Sequence, residues 1–542
     1  MEISMAWYTL LFLSLVAFGG SIFLVRWCFP LPSLEGREPS SACLDTGDTS
    51  LGRGIAKLSD GRQGLNGVHL LAEGLDSFAA RVLLIRNAER CLDVQYYIWK
   101  NDLTGAIFYE ELMLAAERGV RVRILLDDGG VSDMDRELAA LNDHPNVQIR
   151  LFNPFVIRWP KMIGYCIDFP RLNRRMHNKS LSADGCVTIV GGRNIGDEYF
   201  DMREDGTFAD LDALVVGPVV REVEADFDGY WACDASFPAE RLLPRPRPGD
   251  LAEFCARARK LRNDARAEGY LHAIERMPFV QALRSGELEL EWAPVRMVSD
   301  PPEKASGDVD RSALLGNALK NALGDPSSQL CIVSGYFVPT QAGVDALGAL
   351  AQQGVDVRVF TNSFDATDVW IVHAGYSGYR LPLLSKGVKL FEMRGEEPEG
   401  DAKRPRRKIL STGSGIGSKG RSRVLRSSAS ALHAKTFVVD KERFFIGSFN
   451  FDPRSMLLNT ELGFVIESPR LAQRIASVFE LDAEDGVAHR AWGLEANERG
   501  RLVWLERQEG GEERRLTREP GMYYVQRWGV WLLGRLPIEW ML

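Results

Sequence analysis

Histidine is scarce in this chain, with seven residues in 542, so the place of each one is informative. The eight cysteines (28, 43, 91, 166, 186, 233, 255 and 331) contain no Cys-x-x-Cys pair and show no framework spacing. That argues against a disulfide scaffold. Cys331 lies inside Leu330-Cys331-Ile332-Val333, and such settings suit buried free thiols and a reducing compartment. No histidine or cysteine cluster has metal-ligand spacing. Positive charge is not in excess either. The net charge of −8 argues against a nucleic-acid partner held by bulk electrostatics. Apolar residues make up 45% of the chain, enough at this length for two domains with sizeable cores.

The N-terminus lacks the basic start of a cleaved signal, since only Glu2 precedes the uncharged run Ile3–Val25. As a helix that run spans about 34 Å, against a hydrocarbon core of about 30 Å. Val25-Arg26-Trp27-Cys28 is not the small-residue context of a lipidated cysteine. A single transmembrane anchor over residues 3–25 is expected, followed by a linker over 26–60. Arg26, Arg37 and Arg53 lean the body to the cytoplasmic side.

Two of the seven histidines carry one rare pattern, His177-x-Lys179-xxxx-Asp184 and His433-x-Lys435-xxxx-Asp440. A fixed three-residue pattern arises by chance roughly once in tens of thousands of positions. Each copy is followed at the same distance by a small-residue and amide stretch, Gly191-Gly192-Arg193-Asn194 and Gly447-Ser448-Phe449-Asn450. On strands over Met176–Ser182 and Leu432–Val439, residues two apart share a face, which puts imidazole beside ammonium. That pairing repels a metal ion but suits a phosphate: lysine holds the oxygens, and imidazole attacks phosphorus or protonates a leaving oxygen. Two facing copies supply one nucleophile and one general acid without a cofactor or metal. Lys179, Lys435, Asn194 and Asn450 would hold the equatorial oxygens, with Ser448 a further candidate donor.

Aligning the halves adds a third layer. Thr460-Glu461-Leu462 follows the second motif as Ala209-Asp210-Leu211 follows the first. Glu461 and Asp210 are candidates to accept the other ring N–H of the histidines and fix their tautomers.

The order of elements also repeats. Helix Leu70–Asn87, strand Cys91–Trp99, helix Leu103–Arg118 and strand Val120–Leu126 are expected in the first half. Strand Gln329–Val338, helix Gln341–Gln353 and strand Val355–Phe360 follow in the second, and Val388–Phe391 mirrors Ile149–Phe152. The pattern predicts a duplicated βαβ-rich unit with one active site at the pseudo-twofold interface. The boundaries expected are 61–275 and 276–510 for the two domains and 511–542 for an interfacial tail. Basic and bulky apolar residues mix in Arg158–Ile163 and Arg171–Arg175, and aromatics crowd Tyr523–Leu533, as at a headgroup boundary. Lys403–Arg426 holds nine Lys and Arg, either a solvated loop or a basic flap drawn to anionic lipid. His373, beside Tyr376 and Tyr379, is a candidate to line the pocket.

The paired motifs resemble those of the phospholipase D superfamily. Leu92–Trp99, Arg174–Lys179, Gly191–Phe200 and Thr367–Tyr376 are similar to bacterial cardiolipin synthases of the C type, and the likeness runs over roughly 60–542. The resemblance implies an α/β fold of two phospholipase D-like α-β-α sandwich domains. It also implies a two-step phosphatidyl transfer at the bacterial inner membrane. His177 would be the nucleophile and His433 the acid/base, or the reverse; the substrates would be anionic and zwitterionic phospholipids. The expected product is cardiolipin, made from phosphatidylglycerol with a phosphatidylglycerol or phosphatidylethanolamine donor. A need for an accessory protein stays open. Departures between Phe200 and Phe208 and around Lys403–Arg426 bear on the acceptor. Three alternatives remain: a hydrolase releasing phosphatidic acid, a nuclease of the same superfamily, and a non-catalytic lipid binder.

Overall fold

A computed structural model describes residues 2–202, 208–262, 287–367, 369–395, 431–477, 491–507, 512–536 and 539–541. The basic stretch Lys403–Arg426 and the boundary at 275/276 lie outside the described residues.

Two sheets carry the fold. In chain order the strands of the first half are β1 (Asn66–Leu71), β2 (Cys91–Ile98), β3 (Arg121–Gly130), β4 (Val147–Phe152), β5 (Ser180–Ala183), β6 (Val187–Gly191), β7 (Phe208–Ala209), β8 (Asp212–Val216) and β9 (Ser236–Pro238). Then come β10 (Glu291–Ala293), β11 (Val295–Ser299), β12 (Gln329–Ser334), β13 (Asp356–Asn362) and β14 (Lys389–Met393). The last are β15 (Ala431–Leu432), β16 (Lys435–Val439), β17 (Arg443–Gly447), β18 (Leu462–Glu467), β19 (Ala491–Ala496), β20 (Leu502–Arg507) and β21 (Glu513–Leu516). The nine-stranded sheet runs β10-β1-β8-β6-β5-β2-β3-β4-β9, and the ten-stranded one β11-β18-β17-β16-β12-β13-β14-β19-β20-β21.

The central strands β2, β3 and β4 are parallel, as are β12, β13 and β14. Such strands are covered on both faces, which is why Val122, Ile124, Leu125 and Leu126 are all buried, and Arg123 among them is buried in an ion pair with Asp93. Helices Gly74–Asn87 and Leu103–Glu117 cover the outer face of the first sheet. Gly119 and Gly354 follow the crossover helices with φ of +94° and +93°, a conformation that glycine adopts without strain. The inner faces of the two sheets meet. Val190, Ala213 and Val215 share one core with Phe444, Ile446, Phe464 and Ile466. Each buried valine, isoleucine and phenylalanine there stabilises the interface by about 1.5–3 kcal/mol, and Ile446→Asp would break it.

Several expectations shift. Leu70 and Leu71 end β1 instead of opening a helix, because β1 is needed between β8 and β10; the helix begins at Gly74. The 26–60 linker contains helix Ser50–Leu58, capped by Thr49. Glu291–Ala293, assigned by sequence to the second domain, extends the first sheet, whereas Glu513–Leu516 of the expected tail closes the second. The apolar N-terminus forms helix Glu2–Cys28. Among the described residues, no helix is long and apolar enough to cross a membrane.

Candidate active site

The two motifs reach the centre of the molecule by an exchange between halves. Met176, just ahead of His177, bridges in parallel to Thr460, just ahead of Glu461. The β15 pair Ala431-Leu432, just ahead of His433, runs parallel to β7, just ahead of Asp210. The backbone N–H of His177 donates to the Thr460 carbonyl at 2.9 Å, and that of His433 to the Ala209 carbonyl at 2.8 Å. The histidines therefore sit just before β5 and β16 and not within them, since their backbone groups bond across the pseudo-twofold axis.

The side chains follow the same exchange. His177 Nδ1 lies 2.9 Å from Glu461 Oε2, and His433 Nδ1 lies 2.6 Å from Asp210 Oδ2. Each ring is oriented by a carboxylate of the other half. Because Nδ1 is engaged, Nε2 of each ring is left for chemistry. Lys179 donates to the His177 carbonyl at 2.5 Å, and Lys435 to that of His433. Lys435 Nζ also lies 2.9 Å from His433 Nδ1, but a nitrogen giving its proton to Asp210 cannot accept one, so this is a charge contact.

Burial pushes the His177 imidazole well below its ordinary value, and Lys179, Lys435, His433 and Arg454 push it the same way. His433 is also lowered, first by burial and then by Lys435, with Asp210 and Lys179 acting in opposite senses. Each ring thus feels cations from both halves. The two carboxylates differ. Burial raises Asp210, but the His433 contact and Lys435 outweigh it and hold its carboxyl well below the usual range. Burial pushes Glu461 up to about 7 against the pull of Lys179 and the Ser448 hydroxyl.

Not every residue singled out from sequence joins the rings. Asp184 accepts the backbone N–H groups of Glu89, Arg90 and Cys91 at 2.9, 2.8 and 2.9 Å. Asp440 does the same for Ser327, Ser328 and Gln329. Both sit at the far ends of β5 and β16, about 16 Å along the strand from the lysine. The motif groups them with the catalytic histidine and lysine, yet they pin the turn that enters β2 or β12. Ser448 donates to Glu461 Oε2 at 2.5 Å, so it supports that carboxylate and is not a phosphate donor. Gly192 holds the matching place opposite Asp210, where an added Cβ would lie 2.3 Å from Oδ1. Asn194 accepts from Ile98 N–H and donates to the Tyr199 hydroxyl. Asn450 is buried with its amide oxygen unpaired. His373 bonds Glu519 at 2.7 Å and Arg380 at 3.1 Å, so it ties the C-terminal segment to helix Trp370–Ser377 and does not line the site.

Sequence reasoning missed four supports. Tyr97 packs edge-on to His177 and Tyr199 edge-on to His433, with ring centroids 5.0 and 5.3 Å apart. Asp127 accepts the N–H of Met176 at 2.8 Å, and Asn362 brackets Leu432 with two bonds of 2.8 Å. These two hold the residue before each histidine. An acid at the end of the buried run Ile124-Leu125-Leu126 was a readable signal for Asp127. Among the described residues, no group of three or more His, Cys, Asp or Glu is gathered for a metal ion.

Comparison with known proteins fits this arrangement. The family model described as "Cardiolipin synthase, PLD-like domain" matches residues 82–231 and 319–483, one match for each half. Cardiolipin synthase C of Escherichia coli K12 is 44% identical over 91% of this chain and 99% of its own length. An uncharacterised protein of Helicobacter pylori 26695 is 31% identical over 90% of this chain and 92% of its own. Phosphatidylserine synthase of Haemophilus influenzae shares the fold at 15% identity, with a TM-score of 0.52 over 82% of this chain and 92% of its own. A duplicated fold, an exchanged pair of His-Lys motifs and end-to-end likeness place the chain in the cardiolipin synthase family of phospholipase D-like proteins.

Proposed function

We propose that the chain is a phosphatidyltransferase that forms cardiolipin from phosphatidylglycerol through a phosphatidyl-histidine. The observation that carries the assignment of roles is the inequality of the two exchanged carboxylates. Asp210 stays ionised beside His433 and favours its protonated form. His177 is pushed down the further of the two, by burial and by Lys179, Lys435, His433 and Arg454, and acts as the neutral nucleophile. His177 Nε2 attacks the donor phosphorus as the bond to the glycerol oxygen breaks, and His433 gives its Nε2 proton to that oxygen. Free glycerol leaves. The hydroxyl of a second phosphatidylglycerol then attacks phosphorus while His433 takes its proton, the P–N bond breaks, and cardiolipin and the original histidines result. Lys179 and Lys435 offset the charge on the non-bridging oxygens. The unpaired amide of Asn450 is the remaining donor, since rotating it exchanges oxygen for N–H. With phosphatidylethanolamine as donor, the same steps release ethanolamine.

Water in place of the second alcohol gives phosphatidic acid, and how well the closed site excludes water sets the partition. The helix Glu2–Cys28 is the proposed single anchor in the bacterial inner membrane. Its support is the exposure of Tyr8, Phe12, Val16, Phe23 and Trp27 along its length. Expression in cells lacking their own synthases, together with any partner protein required, tests the whole reading by lipid mass spectrometry. A rise in cardiolipin that disappears in His177→Ala and in His433→Ala is expected; no rise refutes it.

A further inference from the structure

Large apolar side chains that face solvent are concentrated. Outside the N-terminal helix and its exit, most belong to three elements: Trp159–Ile163 leading into helix Met162–Leu172, helix Pro453–Leu457, and the C-terminal helix Tyr524–Leu533 with the turn Glu539–Met541. Trp159 is 79% exposed, Tyr524 87% and Trp528 66%. The C-terminal helix buries Val530 and packs Leu533 against Phe364, Trp370 and Ala374. Its opposite stripe, Tyr524, Trp528, Trp531 and Leu532, follows the i, i+4, i+7, i+8 spacing and is open. A helix on a water-facing surface keeps one face polar; this one is apolar on both.

Helices Met162–Leu172 and Pro453–Leu457 and the turn Glu539–Met541 meet at a rim beside His177, on which Arg454 acts electrostatically. Arg454 donates to Asn173 Oδ1 at 2.9 Å and to the Met541 carbonyl at 3.2 Å, and Arg174 to the Leu457 carbonyl at 3.2 Å. Neither guanidinium has an ion-pair partner among the described residues, so positive charge is left at this rim. Arg26 pairs with Asp168 at 3.0 Å, which fastens the exit of the N-terminal helix to helix Met162–Leu172. Between them lies a cavity of about 160 Å³ lined by Phe29, Leu31, Ile157 and Ile167, with Arg26, Asp168 and Arg171 at its wall.

We propose that these three elements form one bilayer-docking face, with apolar and aromatic side chains in the headgroup boundary and Arg174 and Arg454 at anionic headgroup phosphates. The rim of the catalytic site is thereby held against its lipid supply, an inference that rests on the phosphatidyltransferase reading. The occupant is an anionic bilayer. Aromatic side chains favour the headgroup boundary, the Arg174 and Arg454 guanidiniums favour anionic lipid, and the face is continuous with the proposed anchor.

The test uses the full chain on vesicles of phosphatidylethanolamine and phosphatidylglycerol carrying a photoreactive diazirine in an acyl chain. Cross-links mapped by mass spectrometry are expected at residues 159–163 and 523–532, beside those in the N-terminal helix. Lipid cross-links confined to the N-terminal helix, with residues 159–163 and 523–532 unlabelled, overturn the proposal. In a second arm, Tyr524→Glu with Trp528→Glu is expected to lower turnover on vesicles about tenfold while sparing a water-soluble short-chain phosphatidylglycerol. Equal losses on both substrates, or no loss on vesicles, overturn it as well. Should the unaltered chain turn over neither substrate, the enzymatic reading fails while the labelling still judges the docking face.

Discussion

Asp210→Asn keeps the shape of the group that orients His433 and removes its charge, so it isolates what the exchanged contact does. An imidazolium and a carboxylate with charge centres about 4 Å apart interact by about 4 kcal/mol at an effective dielectric of 20. Asp210 is almost fully buried, so solvent weakens this little. The expected outcome is a fall in kcat of about 10³-fold with KM little changed. Which step slows is the sharper question. With a nitrophenyl phosphodiester of the same lipid, the leaving group departs without a proton, so attack by His177 no longer needs its acid. Stopped-flow absorbance should then show Asp210→Asn and His433→Ala releasing about one equivalent of nitrophenolate in a burst and stalling, because the acceptor step still lacks its base. His177→Ala should give no burst. A burst from His177→Ala with none from His433→Ala would reverse the roles. Asp210→Asn losses that add to those of His433→Ala, instead of vanishing in the double variant, would refute the exchanged pairing.

Asp184→Ala leaves three backbone N–H groups without an acceptor and should lower the unfolding free energy by about 3 kcal/mol in urea titrations. Its kcat per folded molecule should stay within about twofold. Asp440 has a folded pKa below the ordinary 3.8, so the stability that it adds is present above that value and lost as pH falls beneath it. Thermal unfolding of Asp440→Asn should accordingly be less sensitive to acid. Glu461, pushed up to about 7, stabilises the fold while protonated and loses that contribution as pH rises through about 7; the ionised form is the one that orients His177. Transfer rates should fall as pH drops below about 7, and Glu461→Gln should flatten that limb. Gly192→Ala drives a methyl into Asp210 and should cost about 10²-fold in kcat, measured beside Asp210→Asn as the reference.

The reactive residues were legible because phosphoryl chemistry needs particular side chains at fixed spacing, and two copies removed chance. The repeat order was legible too: Gly119 and Gly354 stop matching helices, and the runs after them are the β3 and β13 strands. What stayed hidden was the exchange. Sequence pointed to Glu461 and Asp210 as partners of the histidines but could not say which served which, since that depends on how the halves are turned about their shared core. Asp184 misled because it shares a motif with His177 and Lys179, yet the position needs a carboxylate at φ +49° to hold three amides. Leu70–Leu71 misled because an apolar pair at a strand end continues smoothly into a helical stripe. His373 misled because its partner, Glu519, is far along the chain.

Joining both halves in one polypeptide has a lasting effect on what selection can alter. In a symmetric dimer of identical chains, each ring would face the same acid, and any change to one would be copied to its twin. Fusion lifts that constraint: one copy has glycine opposite aspartate, Gly192 with Asp210, while the other has Ser448 against the longer Glu461. The pair can thus specialise into donor and acceptor of protons, although neither half, expressed alone, would own a complete tool.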